Sequence, residues 1–227
     1  MKKLIIIVCF FTAISDGISQ NLNSARSVAY EYLGEKSSDK KYAYNDIKGS
    51  PYENEEFSPG KIFYKGMEPI SLLLRFNIYD NVIQYVDNLQ IYDLIINEKF
   101  LHAEVNGLKL IYSEYVDGTE LKKGFFIQLL GGKYNLYKMK RIELSKGSEK
   151  ASSYEQDKPP SFNRLKDKYY LSSENNSFFL FTGSKKSMQE VFRKDYDVVQ
   201  EIVKDKKINL KKEEDIIQLI TILNQQE

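Results

Sequence analysis

From Lys61 to Leu144 the apolar residues recur at every second position. About every 8–13 residues a short polar or glycine-rich pair interrupts them: Asp80-Asn81, Asp87-Asn88, Asn106-Gly107, Asp117-Gly118 and Gly131-Gly132. A period of two is the spacing of one face of a β-strand, and such dipeptides favour the tight turns of hairpins. This pattern constrains the chain more than any other, because it leaves little besides consecutive antiparallel strands. Ile62 to Tyr64 starts the series as a short strand. Ile70 to Tyr79 (ISLLLRFNIY) sets Leu72, Leu74, Phe76 and Ile78 against Leu73, Arg75, Asn77 and Tyr79, one apolar face and one mixed face. Val82 to Val86, Leu89 to Ile96, Phe100 to Val105, Leu108 to Val116, Leu121 to Leu130 and Tyr134 to Leu144 follow.

The flanks read differently. Residues 22–35 put Val28, Tyr32 and Leu33 on one helical face, with Gly34 as a stop. Residues 35–50 are polar and lysine-rich, and Ser50 to Gly60 carries turn residues at both ends, so both read as loop. Residues 145–161 are polar with Pro159-Pro160, an exposed connection. Tyr169 to Leu171 and Phe178 to Phe181 read as a last hairpin around Ser172–Ser177. Three helices close the chain: Met188, Val191 and Phe192 in the first, Val198, Val199, Ile202 and Val203 in the second, and Ile216 to Leu223 in the third. Glu213, Glu214 and Asp215 stand in the first turn of the third, as the helix dipole favours. The expected fold is α+β: an antiparallel meander of about eight or more strands (curved sheet, sandwich or half-open barrel) with an N-terminal helix and short C-terminal helices. The expected division is 20–50 N-terminal helix and polar loop, 51–145 meander, 146–161 linker, 162–183 hairpin and 184–227 helices.

The first 19 residues read as an export signal. Lys2 and Lys3 precede the 11-residue apolar run Leu4 to Ile14, too short for a membrane span of about 20 residues. Gly17 and Ser19 occupy the −3 and −1 positions of a cut before Gln20. Cys9 lies inside the apolar run, where it is a hydrophobic filler rather than a lipidation site. Removing Lys2, Lys3 and Asp16 from 33 basic and 32 acidic residues leaves 31 of each and no cysteine, as suits an oxidising compartment. No second apolar run reaches 18 residues, so no transmembrane helix is expected in the mature chain.

The chemistry of the side chains excludes more than it assigns. Balanced charge argues against nucleic-acid binding by bulk electrostatics. One Cys and one His exclude the usual zinc sites, and no cofactor or metal is expected. His102 follows Phe100-Leu101 in a strand, with no G-x-S-x-G elbow to serve. Gly131-Gly132 opens no phosphate loop, because strand residues follow it. Glu53, Glu55 and Glu56 cluster beside Tyr52, and Asp80, Asp87 and Asp93 stand near strand ends. They read as loop charges and turn residues before they read as a catalytic pair. Asn175-Asn176-Ser177 matches a glycosylation acceptor and reads as a turn. Arg75, Asn77 and Tyr79 on the mixed face of the central strand are the candidate ligand-binding residues. There Arg75 takes an anionic ligand or pairs with a cross-strand acid.

Three stretches taken together resemble a group of small exported proteins of the Bacteroidota. They are Gly49-Ser50-Pro51-Tyr52-Glu53-Asn54-Glu55-Glu56-Phe57, Leu74 to Tyr85 (LRFNIYDNVIQY), and Gly124-Phe125-Phe126 leading to Gly132-Lys133-Tyr134. The group's pattern is G-x-P-Y-x-N-x-x-F … L-R-Y-N-I-Y-x-D-x-x-E-F, and Leu210 to Asp215 with its helix is similar too. Phe76 stands where the pattern has Tyr, and Gln84 where it has Glu. The resemblance implies export and a shared fold, and no reaction.

Three functions follow as expectations. The first is a non-enzymatic exported binding or cell-envelope assembly protein, located in the periplasm, on the outer membrane or outside the cell. The second is a carrier of lipid or another apolar ligand in a half-open barrel lined by Leu72, Leu74, Phe76, Ile78, Phe125 and Ile127. The third is a carboxylate-based hydrolase of envelope polysaccharide. The expected partner is accordingly an envelope protein or an apolar ligand.

Overall fold

The turn dipeptides become hairpin turns because their residues tolerate a left-handed backbone. Asn106 and Gly107 have φ of 49° and 76°, Asn81 has 56° and Gly118 has 67°. The computed structural model describes residues 35–36, 44, 47–147, 159–172 and 178–225. The strands are β1 (Glu35–Lys36), β2 (Ser58–Tyr64), β3 (Ile70–Asn77), β4 (Val82–Asp87), β5 (Gln90–Asp93), β6 (Phe100–Val105), β7 (Leu108–Asp117), β8 (Glu120–Leu130), β9 (Asn135–Ser145), β10 (Ser161–Ser172) and β11 (Phe179–Phe181). They form one open antiparallel sheet in the order β1-β5-β4-β3-β2-β6-β7-β8-β9-β10-β11. Helices α1 (Lys185–Phe192), α2 (Tyr196–Asp205) and α3 (Glu213–Asn224) follow, with a 3₁₀ turn at Arg193–Asp195 between the first two.

The sheet curls. Phe76 on β3 and Phe125 on β8 are four strands apart in the order, about 19 Å on a flat sheet at the usual strand spacing. Their ring centroids lie 5.8 Å apart, and Phe125 also meets Tyr112 at 4.9 Å and Phe100 at 6.1 Å. The concave face of β2–β8 thus closes on its own side chains, with Ile62, Leu74, Ile83, Ala103 and Leu110 fully buried. On the same face of β9–β11 the three helices pack over Leu136, Leu171 and Phe181 through Val191, Phe192, Val199, Leu219 and Ile220. The opposite face of β7–β10 carries an aromatic cluster of its own, Phe126, Tyr137 and Tyr170, joined by Tyr115 and Phe178. With every C–H of the ring buried, Tyr170 holds its phenol proton up to about 12, chiefly through desolvation.

A strap of chain from 47 to 57 ties the two halves together. Lys48 exchanges backbone bonds with β10 (Lys48 N to Pro160 O, 3.0 Å; Phe162 N to Lys48 O, 2.8 Å). A few residues on, the strap bonds to the end of β3 (Glu53 N to Phe76 O, 3.0 Å; Ile78 N to Pro51 O, 2.9 Å). Gly49 permits this approach: its φ is +87°, and a Cβ there would sit 2.7 Å from the carbonyl oxygen of Phe162.

Element by element, two boundaries differ from the sequence reading. β2 starts at Ser58 rather than Ile62, absorbing Pro59, which pairs with Leu73 of β3 while the β6 ladder begins only at Gly60. A proline is tolerated where one side of the strand has no ladder partner. β10 starts at Ser161, well before Tyr169, because its first half is polar and broken by a bulge between Leu165 and Lys168. The helix expected over 22–35 falls outside the described residues except at Glu35, which begins β1. The export signal and the Asn175-Asn176-Ser177 turn lie wholly outside them.

One turn is built against its own chemistry. The β4–β5 turn falls on Asn88 and Leu89, with φ of 47° and 64°, and Leu89 is 97% exposed. A leucine gains nothing from burial there and is strained in the left-handed region, where glycine is not. Leu89→Gly is expected to stabilise the fold by about 1 kcal/mol, read as a raised denaturation midpoint; an unchanged or lowered midpoint refutes the strain.

Candidate functional site

Arg75, Asn77 and Tyr79 do lie along one side of β3, and each is engaged by the chain itself. The Arg75 guanidinium is stacked between two rings, 3.7 Å from the centroid of Tyr52 and 4.2 Å from that of Phe57. Its Nη1 donates to the carbonyl oxygen of Glu55 (2.9 Å) and its Nη2 to Oε1 of Gln84 (2.7 Å). Gln84, nearly fully buried, passes the interaction on by donating Nε2 to Asp93 (3.0 Å). The cross-strand acid expected for Arg75 is therefore reached through an amide. Asn77 is fully buried; its Nδ2 donates to Asp80 and its Oδ1 accepts from the Asp80 backbone N–H. Asp80 also accepts from the Tyr44 hydroxyl (2.9 Å), whose proton burial and that carboxylate hold strongly in place. Tyr79 meets Phe162 and Tyr44 edge-on, joining β3 to β10.

The three stretches that carry the family resemblance meet in space. Tyr52 and Phe57 of the first clasp Arg75 of the second. Asn81 of the second accepts from the Phe125 N–H of the third (3.0 Å), and a Cβ on Gly124 would sit 2.8 Å from the Asn81 amide nitrogen. Tyr134 is pinned at the far end by Asn224 of α3, which accepts from its N–H and donates to its carbonyl (2.9 Å each). This geometry gives the shared residues an architectural task.

A cluster not foreseen from the sequence sits on the concave face between the two apolar clusters. Lys138 holds Glu213 of α3 with both carboxylate oxygens (2.9 and 2.8 Å), and Tyr169 donates to the same carboxylate (2.6 Å). Lys140 and Arg164 both pair with Glu53 of the strap. Lys138 and Tyr169 hold Glu213 below its ordinary range against the opposing effect of burial, while burial pushes Asp167, at the β10 bulge, upward. No spacing rule could find these residues, because they come from positions 53, 138, 140, 164, 167 and 213. The broken alternation at Lys166-Asp167 was the only local sign of the bulge.

The other expected chemistry is dispersed. His102 stacks on Phe63 (4.2 Å, 12° between planes) with Glu104 3.8 Å away, and burial lowers its affinity for a proton. Among the described residues no cluster of three His, Cys, Asp or Glu could hold a metal, and no helix is long and apolar enough to cross a membrane.

The largest concavity is an open groove of about 1460 Å³ between the β7–β8 hairpin and the β11–α1 corner. Tyr112, Tyr115, Phe179 and Leu180 line it, together with Val116 and Leu121, which face each other across the hairpin. Val116, Leu121 and Leu180 are 55%, 68% and 39% exposed. Glu98, Glu190, Lys123 and Lys186 supply both signs of charge. No protein-family model, curated protein or solved structure matches this chain.

Proposed function

We propose that the chain is an exported, non-enzymatic binding protein of the cell envelope, with the groove beside the β7–β8 hairpin as its ligand surface. The carrying observation is that Val116, Leu121 and Leu180 stay exposed in a concavity while larger side chains elsewhere are buried. Mixed charge around an apolar wall suits a ligand that is amphipathic and close to neutral. The leader-like first 19 residues and the resemblance to exported Bacteroidota proteins support the location.

The apolar-carrier reading is the second, and the same wall favours it. Leu74, Phe76, Ile78, Phe125 and Ile127, expected as the lining of a barrel, pack against one another, so an apolar ligand would take the groove instead. Protein recovered from the envelope fraction without detergent is expected to carry an amphipathic molecule in native mass spectra, and Leu121→Asp to lose it with the thermal midpoint unchanged. A clean apo spectrum of the wild-type protein sinks the groove as an apolar ligand site. Full-length chain found in the cytosol sinks the export reading.

A further inference from the structure

Three parts of the fold meet over the β10 bulge: the 47–57 strap, the β9–β10 hairpin and the first turn of α3. Their contact is ionic. Glu53 anchors the strap through Lys140 and Arg164, and Glu213 anchors α3 through Lys138 and Tyr169. The bulge sets Lys166 and Asp167 against Lys140 alone, since Leu165 pairs with Arg141 and Lys168 with Met139. Asp167 is half-buried there. Among the described residues it has neither a hydrogen bond nor an ion pair, whereas Glu53 and Glu213 each have two cationic or hydroxyl donors. It faces Lys138 and Lys140 of β9, Glu213 of α3 and Glu53 of the strap, with Tyr169 beside it on β10 and Glu214 and Arg164 at the margin. Both lysines are already taken by the other two acids.

We propose that Asp167 is a proton-operated catch: the junction of strap, hairpin and α3 is tighter while this carboxyl is neutral and loosens when it ionises. Charging it puts a third carboxylate into an enclosure whose cations are committed, and half of its water is gone. The sign follows from linkage. Burial raises the folded-state value of Asp167 above the ordinary 3.8, so its contribution to stability is complete below that ordinary value and is lost as pH rises through the folded value. Glu213 runs the other way: its contribution is present above the ordinary 4.5 and is lost as pH falls through its lowered folded value. That second effect is common to wild type and variant, so a difference measurement removes it.

The test compares thermal midpoints of the wild type and Asp167→Asn from pH 8 to pH 4. Asparagine has the shape of the neutral acid. The variant is expected to melt roughly 2–4 °C higher at pH 8, and the gap is expected to close toward pH 4. Hydrogen exchange at the α3 amides should slow in the variant at pH 8 and match wild type at pH 4. A gap independent of pH, no gap, or a variant less stable at pH 8 overturns the proposal. So does a carboxyl-carbon NMR titration of wild-type Asp167 centred at or below the ordinary value, a readout that needs no variant.

Discussion

Phe125→Ala is expected to cost about 3–5 kcal/mol, the range for removing a buried aromatic from a packed core. The side chain is 3% exposed and its ring meets Phe76, Tyr112 and Phe100, from three different strands. Removing it leaves a hole at the point where the curled sheet touches itself, and the backbone cannot collapse there. The Phe125 N–H is fixed to the Asn81 side chain, and Gly124 lies against that same amide. Urea unfolding of the variant should show a much lower midpoint. A loss under ~1 kcal/mol would mean that the concave face is loosely filled and that the curl does not depend on this contact.

The second large effect is expected at Arg75. Arg75→Met keeps the stem between Tyr52 and Phe57 and deletes the charge, the bond to the Glu55 carbonyl and the bond to Gln84. Charge-assisted bonds of this kind contribute about 1.5–3 kcal/mol each, and a desolvated cation–π contact about 2; allowing for their overlap, ~2–3 kcal/mol should be lost in total. Arg75→Lys should recover less than half, because an ammonium group cannot lie flat between two rings while reaching both acceptors. Equal midpoints for Arg75→Lys and wild type would show that only the charge matters. Gln84→Glu makes a useful control: it gives the arginine a direct carboxylate partner, as in the resembling group, and takes from Asp93 the amide donor it has here.

The strands between Ile70 and Ser145 were legible because their signal is local. Phe100–Val105 begins and ends where the alternation does, and Val82, Leu108 and Leu130 mark observed strand ends. The same local rule missed the first half of β10, where Asn163, Arg164 and Lys166 all face solvent and the bulge breaks the period. It also placed the β4–β5 turn one residue early, at Asp87-Asn88, since no turn preference puts a leucine in the left-handed region. At the candidate site the sequence identified Arg75, Asn77 and Tyr79 as sharing a side of β3. It could not tell that Tyr52, Phe57, Gln84 and Phe162 already occupy them, because those partners depend on how the sheet curls. The ionic junction was invisible for the same reason, and so was the groove, whose walls belong to a hairpin and to a corner some sixty residues later.

The strap has a consequence for the order in which this molecule can finish itself. Lys48 is among the first ordered residues a ribosome would release, yet its strand partner Phe162 follows more than a hundred residues behind. Until that partner emerges, the early hairpins can zip one by one, but the seam joining front to back stays unsewn. Closing so long a loop is slow compared with forming a hairpin. The native form should therefore mature in one late step after the last strands are available, and a chain cut short before residue 162 should retain separate hairpins without the finished curl.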